Sequence, residues 1–149
     1  MTKNKKETTT SILPVAIDDG YAQTKLVGQC PETGELKKVI LRSAAKEGDV
    51  GLGSFTGGGK DQYRTEEGRT FTVSSAIESE NTQFDSFHTS ELNRVLVNHA
   101  LLKAGYSGQQ INLMTGLPVS DYFLGNERDD EQIDAKRWLL GSTISLISI

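Results

Sequence analysis

Two adjacent carboxylates, a glycine and, five residues after it, a lysine form the stretch of this chain best suited to chemistry: Asp18-Asp19-Gly20-Tyr21-Ala22-Gln23-Thr24-Lys25. The apolar run Leu13 to Ile17 ahead of it reads as a buried strand ending in a turn, so both acids stand at the carboxyl end of that strand. Gly20 lets the backbone turn closely, and successive N–H groups in such a turn form an anion-binding nest. Lys25, on the returning strand, adds a positive charge to a bound phosphate. A carboxylate beside a phosphate repels it unless a cation stands between them, so Asp18 implies Mg²⁺, held through a water. An ordinary hairpin with acidic turn residues accounts for the same letters, because Asp and Gly dominate turns for conformational reasons.

The elements that must hold this turn follow in order. Residues 21 to 30 alternate as a second strand, with Ala22, Thr24, Leu26 and Gly28 on one face. Pro31-Glu32-Thr33-Gly34 signals a turn and Leu36 to Ser43 a third strand, which together predict an antiparallel meander. Residues 46 to 88 read as an inserted, loop-rich subdomain without a second core. Six of the chain's 15 glycines fall between Gly48 and Gly59, and Gly68-Arg69-Thr70 looks like a hairpin turn before a short strand, Thr70 to Val73. Thr89 or Ser90 can cap a helix with Leu92, Val95, Leu96, His99 and Leu102 on one stripe, closed by Gly105. Ile111 to Thr115 then reads as a strand ended by Gly116-Leu117-Pro118. From Asn126 a polar helix begins, acids early and Lys136-Arg137 late, the order the helix dipole favours. The domain reading is therefore a tail over 1–11, three strands with the acidic turn over 12–45, the insertion over 46–88, and a helix-strand-helix remainder over 89–149.

Composition bounds the rest. A chain of 149 residues makes about one domain and buries enough surface to need no disulfide or metal staple. With 16 Lys and Arg against 20 Asp and Glu, the net charge of −4 excludes an extended basic face, so no direct nucleic-acid contact is expected. No apolar run approaches the roughly 18–20 residues of a membrane span, and the polar start MTKNKKETTT is no secretory signal. Cys30 is alone, which excludes an internal disulfide and a cysteine-cluster zinc site. These features place the chain among soluble, cytoplasmic α/β domains. His99, on the apolar stripe, reads as a core histidine, and His88 as a local or solvent-exposed one. Gly57-Gly58-Gly59-Lys60 imitates part of a P-loop, but Asp61 stands where Ser or Thr belongs, so a flexible loop is the better account. Asp121 either faces the cleft or caps the next segment. Leu52, Phe55, Phe84 and Phe87 either pack within the insertion, the better account, or form a contact between subunits, and Glu127 to Asp134 make a solvated helix face.

Three stretches carry a resemblance: VAIDDGYAQTKL (Val15 to Leu26), SELNRVLVNHALLKAG (Ser90 to Gly105) and INLMTGLPVSDYF (Ile111 to Phe123). In this order they resemble the actin-like ATPases of plasmid partition, the ParM (StbA) family, over nearly all of residues 13 to 138. The resemblance implies an α/β fold: an actin-like, ribonuclease-H-like domain I with a mixed sheet, flanking helices and a loop-rich insertion. It implies ATP and Mg²⁺ as ligands. Asp18 matches the acid that positions the magnesium–water cluster. Asp19, Gly20, Tyr21 and Ala22 match the backbone loop around the β- and γ-phosphates, and Lys25 matches the lysine that reaches a phosphate oxygen. It also implies self-association into ATP-dependent filaments and a partner protein bound to centromere-like DNA that caps them.

The family's second phosphate loop, a D-x-G-x-T turn, has no counterpart after Pro118, and the likeness fades beyond Arg137. The expectation is therefore an incomplete domain I, truncated or frame-shifted, carrying half a nucleotide site and inactive alone. The apolar end STISLISI is expected to lack a strand partner and to favour aggregation. Two other functions compete with the ATPase. One is a non-hydrolytic module that binds or caps filaments. The other is a ribonuclease-H-like nuclease with Asp18, Asp19 and Asp121 as metal ligands, which the acidic balance disfavours.

Overall fold

A computed structural model describes residues 12–48, 61–75 and 81–141, together with the backbone of 144–147. The leading meander forms as its alternation requires. β1 (Leu13–Asp19) pairs antiparallel with β2 (Gln23–Gln29), and β2 pairs antiparallel with β3 (Leu36–Arg42). After the helix α1 (Glu91–Lys103), β7 (Ile111–Met114) returns parallel to β1, which makes the sheet mixed, in the order β3-β2-β1-β7. Ser90 caps α1 through its Oγ, which accepts from the Asn93 N–H at 3.2 Å, and Gly105 follows the helix at φ +93°, a conformation that suits glycine.

The described residues of the segment 46–88 include strands of a second sheet. β4 (Ala45–Glu47), β5 (Asp61–Thr65) and β6 (Thr70–Val73) build a second, antiparallel sheet, and its edge is extended by β10 (Ile144–Ile147). The chain end expected to lack a partner thus has one: Ile144 to Ile147 pair with Thr65 to Gln62. Tyr63, Phe71, Val73 and Phe87 bury against Leu92, Val95 and Leu96 of α1 and form a cluster of their own. A different side of α1, with Val97, Ala100 and the capping Ala104 that follows the helix, packs on Val15, Ile17 and Leu26 of the first sheet. α1 therefore lies between two sheets, and Asn93, Arg94, Val97 and Ala100 are buried beyond the single stripe that its apolar spacing predicts. Periodicity reports one buried face; a second arises only when another layer covers the helix.

Beyond β7 the chain makes a short helical turn, α2 (Val119–Tyr122), and a two-residue hairpin of β8 (Phe123–Leu124) and β9 (Glu127–Arg128). α3 (Asp130–Gly141) completes the described chain before β10. Residues 49–60, with the Gly57-Gly58-Gly59-Lys60 run, Leu52 and Phe55, lie outside the described residues, as does the 1–11 tail.

Candidate functional site

β1 runs two residues further than its apolar core, through both acids, and this decides what each acid can do. A strand points successive side chains to opposite faces, so Val15, Ile17 and Asp19 turn inward while Ala16 and Asp18 turn outward. Across the hairpin Asp18 faces Lys25, and Asp19 faces Thr24. Lys25 Nζ lies 3.7 Å from Asp18 Oδ2, with the side chains 49% and 73% exposed respectively, so both groups are available to a ligand. They border a cleft of about 650 Å³ whose wall also includes Gly20, Tyr21, His88 and the Thr115–Pro118 turn after β7. The turns at the ends of β1 and β7, which lie side by side, thus open into the same space.

The turn itself is held from behind. Ser43 Oγ donates to the Gly20 carbonyl at 2.9 Å, Thr82 Oγ1 to the Tyr21 carbonyl at 2.6 Å, and the Ser43 N–H to the Ala22 carbonyl at 2.9 Å. Three consecutive carbonyls are thereby occupied. The N–H groups of Gly20, Tyr21 and Ala22 donate to no backbone carbonyl among the described turns and loops. Such amides are the donors an anion nest requires. A Cβ on Gly20 would stand 3.1 Å from the Gln23 carbonyl oxygen, which explains a glycine here by space as well as by flexibility.

Asp19 borders the same cleft, but its carboxylate is committed to buried partners. It is 4% exposed and accepts from Asn93 Nδ2 of α1 at 2.7 Å, from Thr115 Oγ1 at 2.9 Å and from Lys136 Nζ of α3. Lys136 Nζ also donates to Asn93 Oδ1 at 2.6 Å, closing a triangle of side chains, and His88 Nδ1 stands 3.5 Å from Asp19 Oδ2. Burial alone would push the Asp19 carboxyl up; the His88 ring, the Lys136 cation and Asn93 outweigh it and hold the group well below the usual carboxylate range. Burial in turn pushes Lys136 down, against the pull of Asp19.

The structure brings Asp18, Gly20, Tyr21 and Lys25 together at the cleft, with Asp19 beneath them. Ala22 is exposed and lies before β2 begins, so it does not share the buried face of Thr24, Leu26 and Gly28. Asp121 sits in α2, accepts from Ser120 Oγ at 3.1 Å and is not part of the cleft wall. His99 is the core histidine expected: it is buried, bonded to Tyr63 Oη at 2.7 Å and pushed down to about 4 by burial. His88 departs from expectation. It is 6% exposed, and its ring meets Tyr21 edge-on at 5.0 Å and Phe87 at 5.1 Å. Asn93, Thr115 and Lys136 were not legible as site residues. A lysine at an inward position of a helix is the one signal that could have marked Lys136.

The architecture is that of the N-terminal domain of the actin-like proteins. Ta0583, an archaeal actin homolog, matches with a TM-score of 0.60 at 21% identity, over 91% of this chain and 40% of that one. A non-polymerisable quadruple mutant of pCBH ParM matches with a TM-score of 0.58 at 22% identity, over 91% and 40%. The Alp12 filament structure matches with a TM-score of 0.55 at 16% identity, over 92% and 42%. The chain thus spans about two-fifths of the length of these structures. No curated sequence matches it. The family model for the N-terminal part of plasmid segregation protein ParM matches residues 13–147, and the chain belongs to that family of actin-like plasmid-segregation proteins. Among the described residues no helix is long and apolar enough to cross a membrane.

Proposed function

We propose that this chain supplies the first phosphate loop of an ATP- and Mg²⁺-binding site, in a cytoplasmic protein that segregates plasmids by assembling into ATP-dependent filaments. The observation that carries this reading is the turn after β1: amides from Gly20 to Ala22 that donate to no backbone carbonyl among the described turns and loops, with Asp18 and Lys25 exposed beside a cleft large enough for a nucleotide's phosphates. The amides of Asp19 to Ala22 cradle the β- and γ-phosphates, and Lys25 meets a phosphate oxygen as a point charge. Asp18 orients the ion through a water. One exposed carboxylate fits a Mg²⁺ that keeps most of its waters, and the described residues hold no group of three or more His, Cys, Asp or Glu that would cage a metal. Bound there, Mg²⁺ neutralises charge on the phosphates.

Three solved structures of similar fold support the reading by analogy. Ta0583 has been solved in complex with ADP, Alp12 as a filament, and the pCBH ParM mutant is described as non-polymerisable. Self-association and a DNA-bound adaptor protein belong to the same proposal; the acidic balance of the chain suits a protein adaptor better than direct DNA contact. A two-metal nuclease is disfavoured, because Lys136 occupies the Asp19 carboxylate and Asp121 lies outside the cleft.

Titration calorimetry with ATP, with and without Mg²⁺, tests the site. The chain should bind in a Mg²⁺-dependent manner. Asp18→Ala should abolish that dependence, and Lys25→Ala should weaken binding about tenfold, the worth of one charge-assisted contact. Both side chains are exposed, so melting temperatures should stay within a degree or so of the parent. Unaltered affinity in both variants would sink the assignment.

A further inference from the structure

We infer that Lys136 is a positioning residue for the phosphate loop, acting on it from α3 through the buried carboxylate of Asp19. This rests on the proposed nucleotide site. The buried residues of α3 are Lys136 and Leu139, so half of what this helix commits to the interior is a cation, 3% exposed. Packing alone gives no reason for it. A methionine or leucine would fill the position without desolvating a charge, and replacing buried ion pairs by apolar residues is often neutral or stabilising. What the lysine does instead is reach the last residue of β1. Its Nζ donates to Asp19 Oδ2 and to Asn93 Oδ1 at 2.6 Å, while Asn93 Nδ2 and Thr115 Oγ1 hold the same carboxylate at 2.7 and 2.9 Å.

Asp19 is followed directly by Gly20, where the open amides begin. Its side chain is buried and its backbone leads into the loop, so a displacement of the carboxylate reaches the loop through one peptide unit. The carbonyls of Gly20, Tyr21 and Ala22 are fixed by Ser43 and Thr82, and Lys136 fixes the carboxylate of the residue just before them. β1, α1, the turn after β7 and α3 thereby meet on one carboxylate. His88 adds an aromatic wall between it and Tyr21.

The test compares the parent chain, Lys136→Met and the double variant Asp19→Asn with Lys136→Met, measuring thermal unfolding and Mg-ATP affinity on each. Lys136→Met leaves a buried carboxylate uncompensated and should lower the melting temperature and the affinity together. The double variant removes both charges and should regain most of the melting temperature. A positioning role predicts that its affinity nonetheless stays about tenfold below the parent, because the tether from α3 is gone and loop geometry governs binding. If affinity in the double variant returns with stability to the parent value, Lys136 is only structural and the inference is overturned. If the parent itself binds no nucleotide, the proposed site falls, and the inference with it, at a different arm of the experiment.

Discussion

Gly28 lies on the inward face of β2, opposite Val15, where the first sheet meets the turn after α1. A Cβ built there falls 2.3 Å from Tyr106 Oη, 3.2 Å from Val15 Cγ2 and 3.3 Å from Tyr106 Cζ. Tyr106 cannot retreat freely: it is 6% exposed within the core cluster, and its hydroxyl donates to the Gln29 carbonyl at 2.6 Å. In Gly28→Ala the rigid ring must move. Overpacking of this kind costs about 1–3 kcal/mol, and the displaced hydroxyl gives up a bond with a net worth of about 1 kcal/mol. Alanine in place of glycine in a strand returns roughly 0.5–1 kcal/mol of backbone entropy. The net expectation is a loss of about 1–3 kcal/mol, with a fall in melting temperature of about 2–4 °C per kcal/mol for a domain of this size. Urea unfolding reads it as a lower midpoint with an unchanged slope. Tyr106→Phe removes the atom in worst conflict, so the double variant should be more stable than Gly28→Ala alone even though Tyr106→Phe by itself destabilises. A Gly28→Ala midpoint at or above the parent value, or a double variant no better than Gly28→Ala, refutes the steric account.

Two further outcomes follow from other parts of the molecule. Ser90→Ala removes the side-chain acceptor for the Asn93 N–H and should cost about 1 kcal/mol in urea unfolding; an unchanged midpoint would mean that the cap is made by other groups. His99, pushed down to about 4 by burial although Asp61 resists, stays neutral in the fold at pH values where the unfolded chain already takes up a proton. Its contribution is complete above pH 6.5 and is lost as pH falls toward 4, by up to roughly 3 kcal/mol at about 1.4 kcal/mol per unit. His99→Gln, which can still accept from Tyr63, should flatten stability against pH in that window; a slope equal to the parent's would place the titration elsewhere.

Most of the strand and helix pattern was legible because its causes are local. The meander, the Ser90 cap and the strand before Gly116-Leu117-Pro118 each depend on residues a few positions apart. The candidate site was legible only in its outward half. Asp18, Gly20, Tyr21 and Lys25 are neighbours in sequence, so their shared position at the cleft follows from one turn. The inward half joins Asp19 to Asn93, Thr115 and Lys136, which lie 74, 96 and 117 residues away, and no periodicity relates such positions. The solvated reading of the Glu127–Asp134 run was no guide to the buried lysine two residues beyond it.

The sequence by itself determined the acid-glycine turn, its returning lysine and the order of elements around them, since each is a matter of backbone preference and short-range alternation. Tertiary structure decided that α1 would be covered on both sides, that residues 144–147 would find β5, and that two adjacent acids would have opposite fates. The physical reason is the same in each case. A strand's two faces and a helix's several sides acquire their meaning only from what packs against them. Asp18 became an exposed carboxylate and Asp19 a buried anchor because α1 and α3 cover one face of β1 and leave Asp18 on the other.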